Sequence, residues 1–241
     1  MTDEIVKREG ISAIESLRLL RTLDTDDQIS IAKTALKDGT WGLAARGMSL
    51  LQRWDEGRFW DAFLDELDEM RRAGQIREDF DRTDAGVSSV REFFEMIDGK
   101  PDEERFRAFC ALFMSANAPG ADSNEAILDI ELMSILRNLS AGEMHLLSAF
   151  LKVRSYVVGE GTVMQSLTRE LGYNSHALVR RNVTALLRQS LVDEEAWTNQ
   201  GGNLRTQKQL LTDLGMALLK RIDKYNEFKD RQTRSADQTD K

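Results

Sequence analysis

One stretch of polar and basic residues has the spacing of a single helix face and carries the clearest chemistry of this 241-residue chain. Its members are Ser175, His176, Arg180, Arg181, Thr184 and Arg188. The buried side of the same helix is predicted to carry apolar residues that recur every three or four positions, namely Leu178, Val179, Val183, Leu186 and Leu187. The planar guanidinium group of arginine donates two hydrogen bonds at once, which suits guanine edges and phosphate oxygens. The pattern predicts a helix that contacts DNA, or alternatively a solvated arginine face with i,i+4 partners.

Two further basic residues, Arg205 and Lys208, follow a polar tip at residues 199–203 that contains two adjacent glycines. Adjacent glycines permit a tight β-hairpin. The apolar residues 191–192 before the tip and the segment 208–211 after it would form the two strands. We therefore predict a small β-hairpin wing, on which Arg205 and Lys208 would touch the DNA backbone or the minor groove.

The elements that would position these residues begin with a helix at Ser140, which forms a capping box with Glu143. A second helix, over residues 162–171, ends at Gly172, because glycine readily adopts the left-handed conformation found at helix ends. The third helix, which carries the arginines, begins near Ser175. Two helices about three residues apart, with glycine in the turn, have the spacing of a helix-turn-helix.

Two segments, 179–187 and 211–222, carry a resemblance to a known superfamily. The first, Val-Arg-Arg-Asn-Val-Thr-Ala-Leu-Leu, resembles the recognition helix of bacterial winged-helix regulators. The second is similar to the "LT-x-x-G-x-x-L" ending of the MarR and PadR groups of such regulators. The resemblance covers residues 140–226, about a third of the chain, and it implies DNA-binding gene regulation in bacteria. The positions that match the contacts of those groups are Ser175, His176, Arg180, Arg181, Thr184 and Arg205.

Acidic residues at 193–195 depart from those groups, because carboxylates on the strand before the wing would face phosphate. The segment 141–241 is also only weakly basic, with 15 Lys and Arg against 12 Asp and Glu. A DNA-binding domain often has a pI above ~9. Since a fold does not fix a function, the alternative is a non-catalytic protein-interaction adaptor whose winged helix docks a protein partner.

Charge is distributed unevenly along the chain. The net charge of −8 combines −11 over residues 1–140 with +3 over residues 141–241. An acidic front half repels phosphate, whereas a weakly basic back half tolerates it. We therefore expect contact with double-stranded DNA in the back half, and sensing, homodimerisation or binding of a protein partner through the acidic front half.

Residues suited to catalysis or metal binding are scarce. His145, His176 and the single cysteine, Cys110, cannot assemble a His/Cys metal set. The chain contains no phosphate-binding loop, dinucleotide fingerprint, zinc-protease motif or serine-hydrolase motif. We therefore expect no enzyme activity, no catalytic residue, no cofactor and no metal. A lone cysteine, with no long apolar run and no signal peptide, favours a cytoplasmic protein that makes no membrane contact.

The composition favours helices. Hydrophobic residues make up 41% of the chain, and only two prolines interrupt it. We predict a mainly α protein in which a helical N-terminal domain is followed by a C-terminal winged helix-turn-helix with a small β-hairpin. The domains are an acidic all-helical domain at 1–118, the winged helix-turn-helix module with a preceding bridging helix at 122–228, and a disordered tail at 229–241.

Overall fold

The computed structural model describes residues 54–98, 102–152, 163–173, 175–193 and 210–239. Eight α-helices and one 3-10 turn lie in these ranges. The helices are α1 (Trp54–Arg72), α2 (Asp84–Asp98), α3 (Glu103–Ala116), α4 (Ser123–Arg137), α5 (Ala141–Lys152), α6 (Val163–Glu170), α7 (His176–Arg188) and α8 (Asp213–Thr239), and the 3-10 turn is Phe80–Arg82. The mainly helical character predicted from composition is confirmed. Within the described ranges, no helix combines the length and the apolar character that crossing a bilayer requires.

The predicted β-hairpin is wrong, because the described residues contain no β-strand. Their only β pairing is a single antiparallel bridge between Val192 and Leu211. Two hydrogen bonds close it, from the Asp193 amide to the Leu210 carbonyl at 2.8 Å and from the Thr212 amide to the carbonyl of residue 191 at 3.2 Å. A ladder needs several successive pairs, and the described residues between α7 and α8, 189–193 and 210–212, provide one.

The predicted wing tip at 199–203, together with Arg205 and Lys208, lies outside the described residues. At the other end of the module, α8 continues to Thr239 and so includes residues 229–239, for which the sequence predicts a disordered tail. No glycine or proline interrupts this segment, and its Lys, Arg, Gln and Ala residues favour a helix.

The chain divides into two compact units. Of the described residues, 54–98 and 113–133 form the first, and 102–112, 134–152, 163–173, 175–193 and 210–239 form the second. Residues of α3 belong to both units, and the domain bounds 1–118 and 122–228 stay predictions.

Four phenylalanines form the aromatic centre of the first unit. Phe63 stacks on Phe93 with ring centroids 3.9 Å apart, and Phe113 meets Phe63 edge-on at 5.1 Å. Phe80, in the 3-10 turn, packs edge-on against Phe113 at 5.6 Å. All four rings are buried. Such aromatic pairs add about 0.5–1.5 kcal/mol each to the burial of their apolar surface.

The second unit is built around α5. Helices α6, α7 and α8 all pack against α5, and α7 also packs against α6. The capping box predicted for α5 is confirmed, since the Glu143 amide donates to Ser140 Oγ at 3.3 Å and the Ser140 amide donates to Glu143 Oε2 at 2.7 Å. The buried side chains of this core include Leu146, Leu147, Phe150, Leu167, Val179, Val183, Leu186, Leu218 and Tyr225.

Helix α8 is fastened to the end of α7 by Thr212 and Gly215. Thr212 Oγ1 donates to the Ser190 carbonyl at 2.6 Å and accepts from the Gly215 amide at 3.1 Å, which caps α8. A Cβ atom on Gly215 would overlap the carbonyl oxygen of Leu191. The Thr-x-x-Gly spacing of this helix start therefore reflects a close approach of helix to backbone, which only glycine permits.

The first unit repeats the same arrangement at the start of α2, where Thr-Asp-Ala-Gly replaces Thr-Asp-Leu-Gly. Thr83 Oγ1 donates to the Phe80 carbonyl at 2.7 Å and accepts from the Gly86 amide at 3.0 Å. A Cβ atom on Gly86 would again overlap a carbonyl oxygen, here that of Phe80. Thr-Asp-x-Gly is thus a repeated helix start in this chain.

We predict that Gly215→Ala destabilises the chain by about 1–3 kcal/mol, because the added methyl group forces α8 away from Leu191. The propensity of alanine alone would act in the opposite direction by up to ~1 kcal/mol. Denaturant unfolding of the full chain measures the difference. The control Lys220→Ala, at an exposed position of the same helix, should stay within about 0.5 kcal/mol of the parent. Equal stability of Gly215→Ala and the parent would contradict the packing argument.

Candidate nucleic-acid interface

Helix α6 ends at a left-handed glycine, Gly172, and the chain turns there before α7 begins. Gly172 has a φ of +64°, and its amide donates to the Arg169 carbonyl at 3.1 Å. The Tyr173 amide donates to the Thr168 carbonyl at 3.0 Å, which completes the Schellman pattern. The glycine predicted from sequence as the left-handed helix end is confirmed. Five residues, 171–175, separate the two helices, rather than the three that the sequence predicts.

Ser175 and His176 stand exposed at the start of α7. Ser175 has an extended backbone, with φ −138° and ψ 115°, and its side chain makes no capping hydrogen bond. The first turn of α7 contains no acidic residue. The partial positive charge of this helix start therefore has no carboxylate of the same turn beside it, which suits an incoming anion.

The exposed face of α7 carries Arg180, Arg181, Thr184 and Arg188. At 3.6 residues per turn these four positions fall within a sector of about 100°. Thr184 Oγ1 donates to the carbonyl of Arg180 at 2.9 Å, so its lone pairs remain free to accept. None of the three arginines forms an ion pair with a residue that the structure describes. The six candidate residues from 175 to 188 are thus all exposed, while Arg205 and Lys208 lie outside the described ranges.

Leu178 is not on the buried side of α7, as the sequence predicts, but 40% exposed. The buried residues of the helix are Val179, Asn182, Val183 and Leu186. On a helical wheel Leu178 lies about 90° from the centre of that set, and it is in the first turn of the helix. The prediction was wrong because it relied on the apolar side chain of Leu178 alone. Leu178 instead adds an aliphatic group to the exposed surface of α7.

Asn182 takes a buried position that sequence reasoning missed. It is 4% exposed, and its Nδ2 atom has no hydrogen-bond partner. A Cβ atom on Gly142 would lie 2.9 Å from that nitrogen. The glycine in the first turn of α5 therefore allows α7 to pack closely. The available signal was the spacing of Asn182, three residues after Val179 and four before Leu186.

Ser190 ends α7 in a left-handed conformation, with a φ of +56°. Its amide donates to the Leu187 carbonyl at 3.0 Å, and the Leu191 amide donates to the Leu186 carbonyl at 3.0 Å. Leu186 and Leu191 are both fully buried, which supplies the hydrophobic contact that accompanies this helix ending. The end of α7 is therefore fixed by backbone hydrogen bonds and by the core.

The described residues contain no group of three or more His, Cys, Asp or Glu side chains placed to hold a metal ion. Cys110 is fully buried in α3. Comparison of the chain with protein-family models, curated proteins and solved structures gives no match. The resemblance to winged-helix regulators therefore stays a prediction from residues 179–187 and 211–222.

We predict that Ser190→Gly raises the free energy of unfolding by about 0.5–1 kcal/mol, because glycine removes the cost of the left-handed conformation. Chemical denaturation of the full chain provides the measurement. Gln189→Gly, one residue earlier at a φ of −89°, serves as the matched control and should lower stability. A loss of stability in both variants would show that Ser190 is not strained.

Proposed function

We propose that this chain binds double-stranded DNA through α7 and acts as a bacterial transcriptional regulator. The supporting observation is that Arg180, Arg181 and Arg188 share one exposed face of a helix that follows a helix-turn. No acidic residue occurs anywhere in α7. In a docked helix-turn-helix, the second helix of the motif enters the major groove with its first residues near the base edges.

The chemistry of the face matches the two kinds of contact that DNA offers. Arg180 and Arg181 come early enough in α7 to approach guanine O6 and N7 in a preferred site and phosphate oxygens in any duplex. Arg188, two turns later, suits a backbone phosphate. Ser175 and His176 lie at the helix start, where a hydroxyl group and the backbone amides favour a phosphate oxygen. Phosphate contacts would supply affinity, and arginine contacts to base edges would supply sequence preference.

Leu178 and Ala177 give the same helix an apolar contact. Both are exposed in its first turn, beside the arginines. The methyl group of thymine is the apolar feature of the major groove, and aliphatic side chains are able to read it. We propose that Leu178 contacts a thymine methyl group and so favours sites that contain thymine.

The exposure of Leu178 also favours a second candidate, a non-catalytic adaptor that docks a protein partner through α7. Salt dependence separates the two, because counterion release makes DNA binding steeply salt-dependent. In either role we propose a cytoplasmic protein without catalytic activity or cofactor. Its acidic N-terminal part would serve for homodimerisation or partner binding.

We predict that replacing both Arg180 and Arg181 by Ala abolishes retention of a random-sequence DNA duplex by the full chain at low salt. Each lost phosphate contact should also reduce the slope of log affinity against log salt by about 0.9. Electrophoretic retention, repeated at several salt concentrations, measures both effects.

The matched control for that variant is Arg82→Ala combined with Arg234→Ala. It removes the same charge from two exposed positions outside α7 and should retain DNA. Unchanged retention by the Arg180/Arg181 variant, or equal losses in variant and control, would refute α7 as the DNA contact. A parent chain that binds no duplex at low salt but captures a protein without salt dependence would favour the adaptor.

We predict that Leu178→Ala removes a preference for thymine over uracil, which lacks the methyl group. Duplexes that the parent chain enriches from a random pool are copied with thymine or with uracil, and the affinities are compared. One buried methyl group contributes about 0.8 kcal/mol, so the parent should bind the thymine copy roughly fourfold better. Ala185→Ser, in the same helix, is the control. An equal preference in parent and Leu178→Ala would exclude Leu178 as a reader of thymine.

A further inference from the structure

A cleft of about 790 Å³ lies within the second unit, and its walls come from α3, α5, the end of α6 and α8. Its volume is in the range of sites that hold small organic ligands, about 300–1,000 Å³. None of the α7 residues of the candidate DNA interface lines it. The residues that line it are Glu104, His145, Ser148, Ala149, Glu170, Leu171, Leu219, Ile222, Asp223 and Asn226.

The apolar part of the cleft comes from three helices or their ends. Ala149 of α5 and Leu219 of α8 are buried, and Leu171 and Ile222 are partly exposed beside them. An aliphatic chain of a ligand would cover this surface and gain about 25 cal/mol for each Å² of apolar area removed from water. A bare metal ion would gain nothing from it. The lining therefore favours a ligand that has a hydrocarbon body.

The charged part of the cleft is negative. Glu104, Glu170 and Asp223 contribute carboxylates from three different elements, and none of the described residues that line the cleft is a lysine or arginine. His145 Nε2 lies 2.6 Å from Glu104 Oε1, so the imidazole among the described lining residues is already paired with a carboxylate. Neither Glu170 nor Asp223 forms an ion pair with a residue that the structure describes.

Two further features of the cleft favour a positively charged ligand. Glu170 and Leu171 stand at the C-terminal end of α6, where the helix dipole favours a cation. Arg107 does not line the cleft, but its Nη2 donates to Asn226 Oδ1 at 3.3 Å, so its positive charge opposes a cation from just outside. Ser148 and Asn226 offer a hydroxyl group and an amide to the ammonium hydrogens or other polar atoms of a ligand.

From this lining we infer that the cleft binds a small organic cation, an amine with an aliphatic body. Glu170 and Asp223 would hold the ammonium groups, and Leu171, Leu219 and Ile222 would cover the hydrocarbon chain. A cleft lined by one sign of charge concentrates ions of the opposite sign. The inference does not depend on DNA binding by α7.

The test uses 1,6-diaminohexane as the probe, added to the full chain at constant ionic strength. Isothermal titration should give saturable binding, and NMR spectra should show shifts of the Leu219 and Ile222 methyl signals. Glu170→Gln combined with Asp223→Asn should weaken binding at least tenfold. The control Glu131→Gln combined with Asp230→Asn removes the same charge from exposed positions outside the cleft and should leave affinity within twofold.

Two further probes separate the contributions of charge and apolar surface. Hexan-1-ol, which has the hydrocarbon chain without the charge, should bind at least tenfold more weakly, and magnesium chloride should cause no saturable shift of the Leu219 and Ile222 signals. Equal weakening in the cleft variant and its control would overturn the inference. So would saturation by magnesium, or diaminohexane shifts that avoid both methyl groups. The methyl shifts of the unmodified chain locate the probe even if a variant fails to fold.

Discussion

The placement of α8 against α7 in the second unit depends on the carbonyl groups of Ser190 and Leu191, which follow the end of α7. Thr212 binds both of them, through its hydroxyl group at 2.6 Å and through its amide at 3.2 Å. Gly215 lets α8 approach the Leu191 carbonyl because it has no side chain. Since α7 and α8 both pack on α5, this contact fixes which side of α7 is left exposed to solvent.

As a result, one face of α7 stabilises the fold and the other is exposed to solvent. Val179, Val183 and Leu186 contribute to the core, where each fully buried aliphatic side chain adds about 1.5–3 kcal/mol. The arginines on the opposite side are exposed and contribute little to stability. The arginine side chains are therefore free to contact a ligand without cost to the fold. Replacing them should change binding and leave the helix folded.

Features that depend on a few adjacent residues could be predicted from the sequence. Features that depend on packing between distant residues were predicted wrongly. The Ser140–Glu143 capping box and the left-handed Gly172 depend on a few adjacent residues, and both are present. Leu178 was misplaced because its apolar identity was given more weight than its position, about 90° from the buried set on the helical wheel. Asn182 was missed because its polar identity was given more weight than its spacing from Val179 and Leu186. The β-hairpin prediction failed in the described residues, where pairing is limited to the single bridge between Val192 and Leu211.

Net charge is a poor guide to what this unit binds, because opposite charges are segregated within it. Residues 141–241 sum to only +3, yet α7 alone contributes three arginines and no acidic residue. Among the described residues, the cleft gathers three carboxylates and no lysine or arginine. Interactions between exposed charges are largely screened beyond about 8–10 Å at physiological salt, so an approaching phosphate responds to the nearest side chains rather than to the total. The weak overall basicity that argued against DNA binding therefore does not describe the surface of α7.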